Sequence, residues 1–206
     1  MQTNGKVIIA KQIDHSQQLE NLRWTSYHNS ESFTVVDDEI FNKYCKWTEK
    51  DSSGIVLLAL DNNNNPLSTM RGNIYYNQDE LEAVDINFKS NSDGFLNFPV
   101  LNMTFAATSP TVFKSGLNSV LRYYFYVLHR HCVKQILGTG IFNSSIYKTL
   151  ERLNYEFRFI EDLRTDLLGI DKKFIARLDE DKFDFAIKNI SEKYCDIIRQ
   201  YPLIVD

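Results

Sequence analysis

Residues Ser109–Asn118 read SPTVFKSGLN and sit between an apolar run, FPVLNMTFAAT, and an aromatic one, SVLRYYFYVLHRH. A strand that passes into a helix through a glycine-bearing loop aims unpaired backbone N–H groups, and the positive end of the helix dipole, at whatever lies in front. Gly116 would let the backbone approach a phosphate closely and Lys114 would add a point charge, which makes the stretch an anion site in type. A tight turn relieved by glycine, beside a solvated lysine, accounts for the same residues without a ligand. Cys132 stands near His129 and His131, but residues two or three apart on a helix need not share a face, and no Asp or Asn is placed to orient an imidazole. The same histidines diverge as metal ligands and no Cys/His pair completes a set elsewhere, so no metal is expected.

Elements must position these residues, and the apolar spacing outlines them. KVIIAKQI reads as a strand, HSQQLENLRWTSYHNSE as a helix, and DDEIFNKYCKW as a second helix with Ile40, Phe41, Tyr44 and Trp47 on one face. GIVLLALD and PLSTMRGNIYY flank NNNN, a hairpin pattern, because Asn tolerates the left-handed backbone of tight turns. NQDELEAVD suits a short helix or a loop. From Phe98 the order is a buried strand to about Thr108, a loop through Gly116, a helix to about Cys132 and the strand KQILGTG, a crossover unit. NSSIYKTLERLN follows as a helix capped by Asn143 or Ser144, and YEFRFIEDL and KKFIARLD read as closing strands. EDKFDFAIKNISEKYCDIIRQY places Phe183, Ile187, Ile190, Tyr194, Ile197 and Tyr201 on one face of an appended C-terminal helix. Residues 1–180 are expected to form the domain and 181–206 that helix, packed on the domain or at a homodimer interface.

Size and charge limit the rest. The 206 residues suffice for one sizeable core, and a net charge of −4 gives no electrostatic case for nucleic acid. No run is apolar enough for a membrane span or signal peptide, and three scattered cysteines suit reduced thiols, so the expectation is cytoplasmic. The aromatics of LRYYFYVLHRH suit a core-facing helix stripe, with an acyl-chain pocket as the alternative use.

The order and spacing of elements resemble the GNAT acyltransferase superfamily, an α/β fold with a mixed, mostly antiparallel central sheet and helices on both faces. Its fourth strand leads into an acyl-CoA pyrophosphate loop written Arg/Gln-x-x-Gly-x-Gly/Ala, commonly with a proline three residues ahead. Pro110 and the run Phe113, Lys114, Ser115, Gly116, Leu117, Asn118 stand in that register, with Phe113 in place of Arg or Gln and Asn118 in place of the second small residue. Members often end with Asn-x-x-Ala-x-x-x-Tyr-x-x-x-Gly-Phe; Asn143, Ile146, Leu150, Asn154 and Tyr155 occupy those places, so the catalytic tyrosine position holds Leu150. NLRWTSY and PLSTMRG resemble the acyl-homoserine-lactone synthases and related N-acyl amino acid synthases, which carry an early Arg and a strand Arg and lack the usual tyrosine. Arg23 and Arg71 match those positions, and Asp37, Asp38 and Glu39 match an acidic stretch between them.

The resemblance implies acyl transfer from a thioester to an amine, such as an amino acid or derivative, by direct attack. The donor is acyl-CoA or the phosphopantetheine of acyl carrier protein, with Lys114, Lys148 and Arg122 as basic contacts for a carrier. The pyrophosphate loop, Thr108 and Asn143 would hold the donor, and a splay between the fourth and fifth strands would supply an oxyanion donor near Phe105–Thr108. Arg71, with its planar fork, suits a substrate carboxylate, and a salt bridge to the acidic segment suits it equally. The base is open among Glu80, Glu82, Asp85, Asp37 and Asp38, with Glu82 carried forward beside Arg71 and Arg23 as the catalytic set. A non-catalytic relative that binds an acyl ligand or a protein is the rival reading.

Overall fold

The computed structural model describes residues 4–29, 38–84, 88, 94–142, 144–160 and 173–205. β1 (Gly5–Ile9) and α1 (Gln12–His28) open the chain, followed by α2 (Asp38–Cys45) and a short α3 (Glu49–Ser53). The second helix is shorter than its apolar spacing suggests. It stops at Cys45, and Trp47 packs beside the Leu19 and Leu22 cluster of α1 instead. Thr48 and Asp51 then start α3, with the Asp51 carboxylate accepting from the Thr48 N–H at 2.8 Å and its hydroxyl at 2.9 Å.

The hairpin forms as expected from β2 (Ile55–Asp61) and β3 (Pro66–Tyr75). Asp61 fixes the turn: its carboxylate accepts from the N–H groups of Asn63 and Asn65, both at 2.8 Å, and Asn64 takes a φ of 62°. NQDELEAVD resolves as a helix, α4 (Gln78–Val84). Then come β4 (Val100–Thr108), α5 (Leu117–His129), β5 (Gln135–Ile141), α6 (Ser145–Arg152), β6 (Glu156–Ile160) and β7 (Lys173–Asp179). Of the two candidate caps for α6, Ser144 is the one seen, its hydroxyl accepting from the Tyr147 N–H at 3.3 Å.

After β7 the expected C-terminal helix forms, but it is broken at Tyr194 and followed by a strand. α7 (Phe183–Lys193) ends at Tyr194, α8 (Cys195–Gln200) follows, and Leu203–Ile204 form a strand, β8, parallel to β1. Pro202 cannot donate to a helix, but its carbonyl accepts from the Val7 N–H at 2.9 Å, so the chain leaves the helix and joins the sheet edge. Phe183, Ala186 and Ile190 of α7 are buried in the same cluster as Leu121 and Phe125 of α5.

The described strands make one sheet in the order β6-β7-β5-β4-β3-β2-β1-β8, antiparallel except at β4–β5 and β1–β8. Alternation along the strands divides its faces. Met70, Leu101, Met103 and Phe174 pack against α5 and α6 in the main core, whereas Val56 and Leu58 pack against α1. Two irregularities prepare the site. Pairing of β4 with β5 runs only from Val100–Gln135 to Met103–Gly138, although β4 continues to Thr108 and β5 to Ile141. The β3–β4 register also shifts between Thr69 and Arg71, opposite Phe105, whose φ is 53°. A bulge beside a splay unpairs backbone groups at one point of the sheet. Among the described residues no helix is long and apolar enough to cross a membrane.

Candidate active site

A cavity of about 1150 Å³ opens at the splay and reaches both faces of the sheet. It is lined on the α5 side by Phe113, Lys114, Ser115, Gly116, Leu117 and Asn118, all expected to hold the donor, and by Arg122. Gly116 is the N-cap of α5 at φ 88°, a left-handed conformation that suits glycine. The N–H groups of the first turn that follows have no carbonyl within the helix to bond. The close approach Gly116 permits is to protein as well as to any ligand, because a Cβ there would lie 2.6 Å from the Tyr194 ring. Lys114 is exposed beside it, with φ 66°.

On the other face lies a cluster of charge. Arg23 is fully buried and grips Asp51 with both terminal nitrogens, Nη2 to Oδ1 at 2.5 Å and Nη1 to Oδ2 at 3.2 Å. Arg71 approaches the same carboxylate, Nη1 to Oδ1 at 3.6 Å, donates from Nε to Thr104 Oγ1 at 3.1 Å, and lines the cavity. Both guanidinium carbons lie over the Phe105 ring, at 4.8 Å for Arg23 and 4.3 Å for Arg71. Burial pushes the Asp51 carboxyl up, but the Arg23 hydrogen bond and charge, the Thr48 N–H and Arg71 outweigh it and hold the group below its ordinary value. Arg23 does not reach the cavity. It positions Asp51, which in turn holds Arg71, so both readings of Arg71 hold together as geometry: it is in an ion pair and it faces the cavity.

Other expected residues fall elsewhere. Thr108 lines the cavity, but its N–H is already given to Ser26 Oγ at 3.0 Å, which leaves the bulge at Phe105 and Ala106 as the place for backbone donors. Glu82 stands outside the cavity lining and accepts from Gln78 Nε2 at 2.6 Å. Glu80 caps its own helix through Tyr76 N–H and Asn77. Asp37, Asp85 and Asn143 lie outside the described residues, as does the side chain of Asp38. Glu39 is exposed and pairs with Lys43 at 3.7 Å. Glu49, at the start of α3, is the carboxylate that lines the cavity among the described residues.

Leu150, where the resemblance places a catalytic tyrosine, is fully buried in the main core, and Tyr147 packs on Phe157 and on the cavity-lining Phe174 without lining the cavity itself. Tyr124, Phe125 and Tyr126 are core residues rather than cavity walls, which settles the use of the aromatic run on α5. Arg122 is not a surface contact: it is 3% exposed. Lys148 is exposed and outside the cavity lining. His129 is buried against Phe125, with Nδ1 2.9 Å from the Phe125 carbonyl, while Cys132 is exposed, so the two form no dyad. No group of three or more potential metal ligands occurs among the described residues.

Sequence reasoning missed Asp51, Thr104 and Asn102. Thr48 and Asp51 carry the spacing of a capping box, the one local signal for a carboxylate at that point. Asn102 lies two residues before Thr104 on the same face of β4, lines the cavity, and its buried Oδ1 has no hydrogen-bond partner.

The sequence matches no family model and no curated protein. Its fold does have solved counterparts. A CoA-dependent acyl-homoserine lactone synthase, BjaI, solved with SAM and isopentyl-CoA, superposes with a TM-score of 0.62 over 98% of this chain and 93% of its own, at 10% identity. A GNAT-family acetyltransferase from Bacillus anthracis gives 0.54 over 88% and 99%, at 9% identity. yncA from Salmonella typhimurium, solved with its cofactor acetyl-CoA, gives 0.58 over 86% and 95%, at 10% identity. With a sheet splayed between β4 and β5, a glycine-started helix at the splay and these counterparts, the chain has the GNAT acyltransferase fold.

Proposed function

We propose that the protein transfers an acyl group from an acyl-CoA to the amine of a small molecule that carries a carboxylate. One observation carries this reading: a single cavity joins the N-terminus of α5, an anion cradle, to a buried guanidinium, Arg71, on the opposite face of the sheet. The cradle takes the pyrophosphate, the splay admits the pantetheine arm, and Arg71 fixes the acceptor carboxylate with its fork. Asn102 Oδ1, an acceptor without a partner on the Arg71 face, receives the amine N–H. Glu49 takes the amine proton, directly or through water, whereas Asp51 is held as a carboxylate by two arginines and is a poor base.

The amine nitrogen attacks the thioester carbonyl, and the oxygen becomes an oxyanion stabilised by N–H groups of the Phe105–Ala106 bulge. The C–S bond then breaks and the thiolate leaves, taking its proton from solvent; buried Leu150 offers none. Phe105 backbone strain is of the kind that clusters at such centres.

The test is release of free thiol from acyl-CoAs of increasing length against a panel of amino acids, beside the thermal shift each donor produces. Thiol should appear only with an acceptor, and Arg71→Met should raise acceptor KM while leaving the donor shift in place. A donor shift with no thiol release for any acceptor would favour the binding-module reading, for which Leu150, Phe113 and Asn118 speak. No shift with any acyl-CoA, but a shift with acylated carrier protein, would move the donor to that class, with exposed Lys114 and Lys148 as its contacts.

A further inference from the structure

Arg122 is a buried cation with no counter-ion among the described residues. It lies six residues beyond Gly116, about 9 Å along α5, and is 3% exposed. Its Nε and Nη1 have no hydrogen-bond partner, and no carboxylate pairs with it among the described residues. The hydroxyls of Tyr126 and Tyr155, themselves 2.7 Å apart, hydrogen-bond to the guanidinium and favour its charged form against the desolvation of burial. Burial pushes both phenols up, so they stay neutral and bring no negative charge. A charge left this way is costly unless something supplies an anion.

The cavity indicates where that anion comes from. Arg122 lines it together with Ser119, Gly138, Ile146 and Thr149, whereas Tyr126, one turn further down α5, does not. Among the cavity-lining residues Arg122 is thus the one furthest along α5 from the cradle, beside Ile146 and Thr149 of α6 and Gly138 of β5. We infer that this end is an acyl-terminus subsite and that the protein prefers donors whose acyl group ends in a carboxylate, such as the monothioesters of short dicarboxylic acids. The inference rests on the acyl-transfer reading above and names the class of its donor. Nη1, unpartnered at the tip of the guanidinium, gives its N–H to one carboxylate oxygen, and the walls of Ile146 and Thr149 take the methylenes.

Calorimetric titration with glutaryl-CoA, valeryl-CoA and free CoA tests it, since the two acyl groups have the same number of carbons and differ in a terminal carboxylate against a methyl. The wild type should bind glutaryl-CoA about tenfold or more tighter than valeryl-CoA. Arg122→Met should invert that order and leave the Kd of free CoA within about threefold, and Arg122→Lys, a point charge, should keep part of the preference. Equal binding of the two donors by the wild type, a comparison that needs no variant to fold, overturns the inference and leaves acyl transfer standing. A loss of free CoA affinity in Arg122→Met equal to its loss of glutaryl-CoA affinity overturns it too, placing an oxygen of the CoA arm on Arg122. Absence of binding by all three ligands overturns the acyl-CoA reading and this inference with it.

Discussion

Among the described residues three arginines are buried at 3% exposure or less, and they are buried in two different ways. Arg23 and Arg71 share the Asp51 carboxylate and stack over Phe105, and Arg71 is braced by Thr48 and Thr104. Arg122, on the other face of the sheet, has phenol oxygens and no carboxylate beside it among the described residues. A cation completed by the protein's own carboxylate is part of the fold and holds a geometry. A cation that the fold leaves incomplete makes the folded state less stable than it need be, and so points to a ligand. The pair of regions separates positioning from recognition within one cavity.

The largest expected effect tests the completed side. Asp51→Asn keeps the shape but removes the charge that two guanidiniums share, and truncating a buried pair of this kind costs about 3–5 kcal/mol. Urea unfolding should show that loss, and an unfolding free energy within about 1 kcal/mol of wild type would mean that the arginines are not held through Asp51. The same pair sets an acid dependence. The folded carboxyl titrates below its ordinary value of 3.8, so the unfolded chain takes up the proton first. The stabilisation is full above about pH 5 and falls away as pH drops through the lowered folded value. Asp51→Asn should lack that leg of the curve.

The incomplete side should respond with the opposite sign. Replacing an unpaired buried guanidinium by an apolar side chain of similar length removes a desolvation penalty, and comparable replacements are neutral or stabilising by about 1–4 kcal/mol. Ligand-free Arg122→Met should therefore melt at or above the wild-type temperature. A clear fall would show that the tyrosine hydroxyls already satisfy the cation and would erase the contrast between the two regions.

How much of this contrast could be read beforehand follows from the range of each interaction. The hairpin was legible because Asp61 and the Asn run fix a turn among neighbours, and the start of α5 because Gly116 is needed where the backbone turns left-handed. Asp51 was visible only as a capping-box residue; that Arg23 and Arg71 converge on it depends on α1, α3 and β3 packing together across the chain. Arg122 borders the stripe of Val120, Leu121, Tyr124 and Phe125, and a charged residue at the margin of an apolar stripe reads as solvent-facing. Tyr126 and Tyr155 cover it, and that is tertiary information. The strand at the end of the chain was not legible for a similar reason: a two-residue strand such as Leu203–Ile204 has no period to detect and exists only because β1 offers an edge.

Between the two arginine regions lies the cradle, and Gly116→Ala probes whether it is held by backbone conformation or by contact. The substitution places a Cβ in a left-handed residue and against Tyr194, at 2.6 Å. The expected loss is about 1–3 kcal/mol. Adding Tyr194→Ala should recover the contact part and not the conformational part. Full recovery in the double variant would mean that the positive φ costs nothing there.

The smallest effect sharpens the comparison furthest. Tyr155→Phe removes one of the two hydroxyls beside Arg122 and breaks its 2.7 Å bond to Tyr126, for an expected loss of about 1 kcal/mol in the wild type. If those hydroxyls serve the cation, the cost should shrink when Arg122 is already Met, giving a coupling of about 0.5–1 kcal/mol in the double-mutant cycle. If they serve only each other, the two changes should add. Additivity would mean that Tyr155 carries no energetic weight for Arg122, so that a bound carboxylate would displace nothing there. Strong coupling would instead make the tyrosines a partial stand-in for that carboxylate, and a dicarboxylic donor should then bind Tyr155→Phe at least as tightly as the wild type, because less is displaced when it arrives.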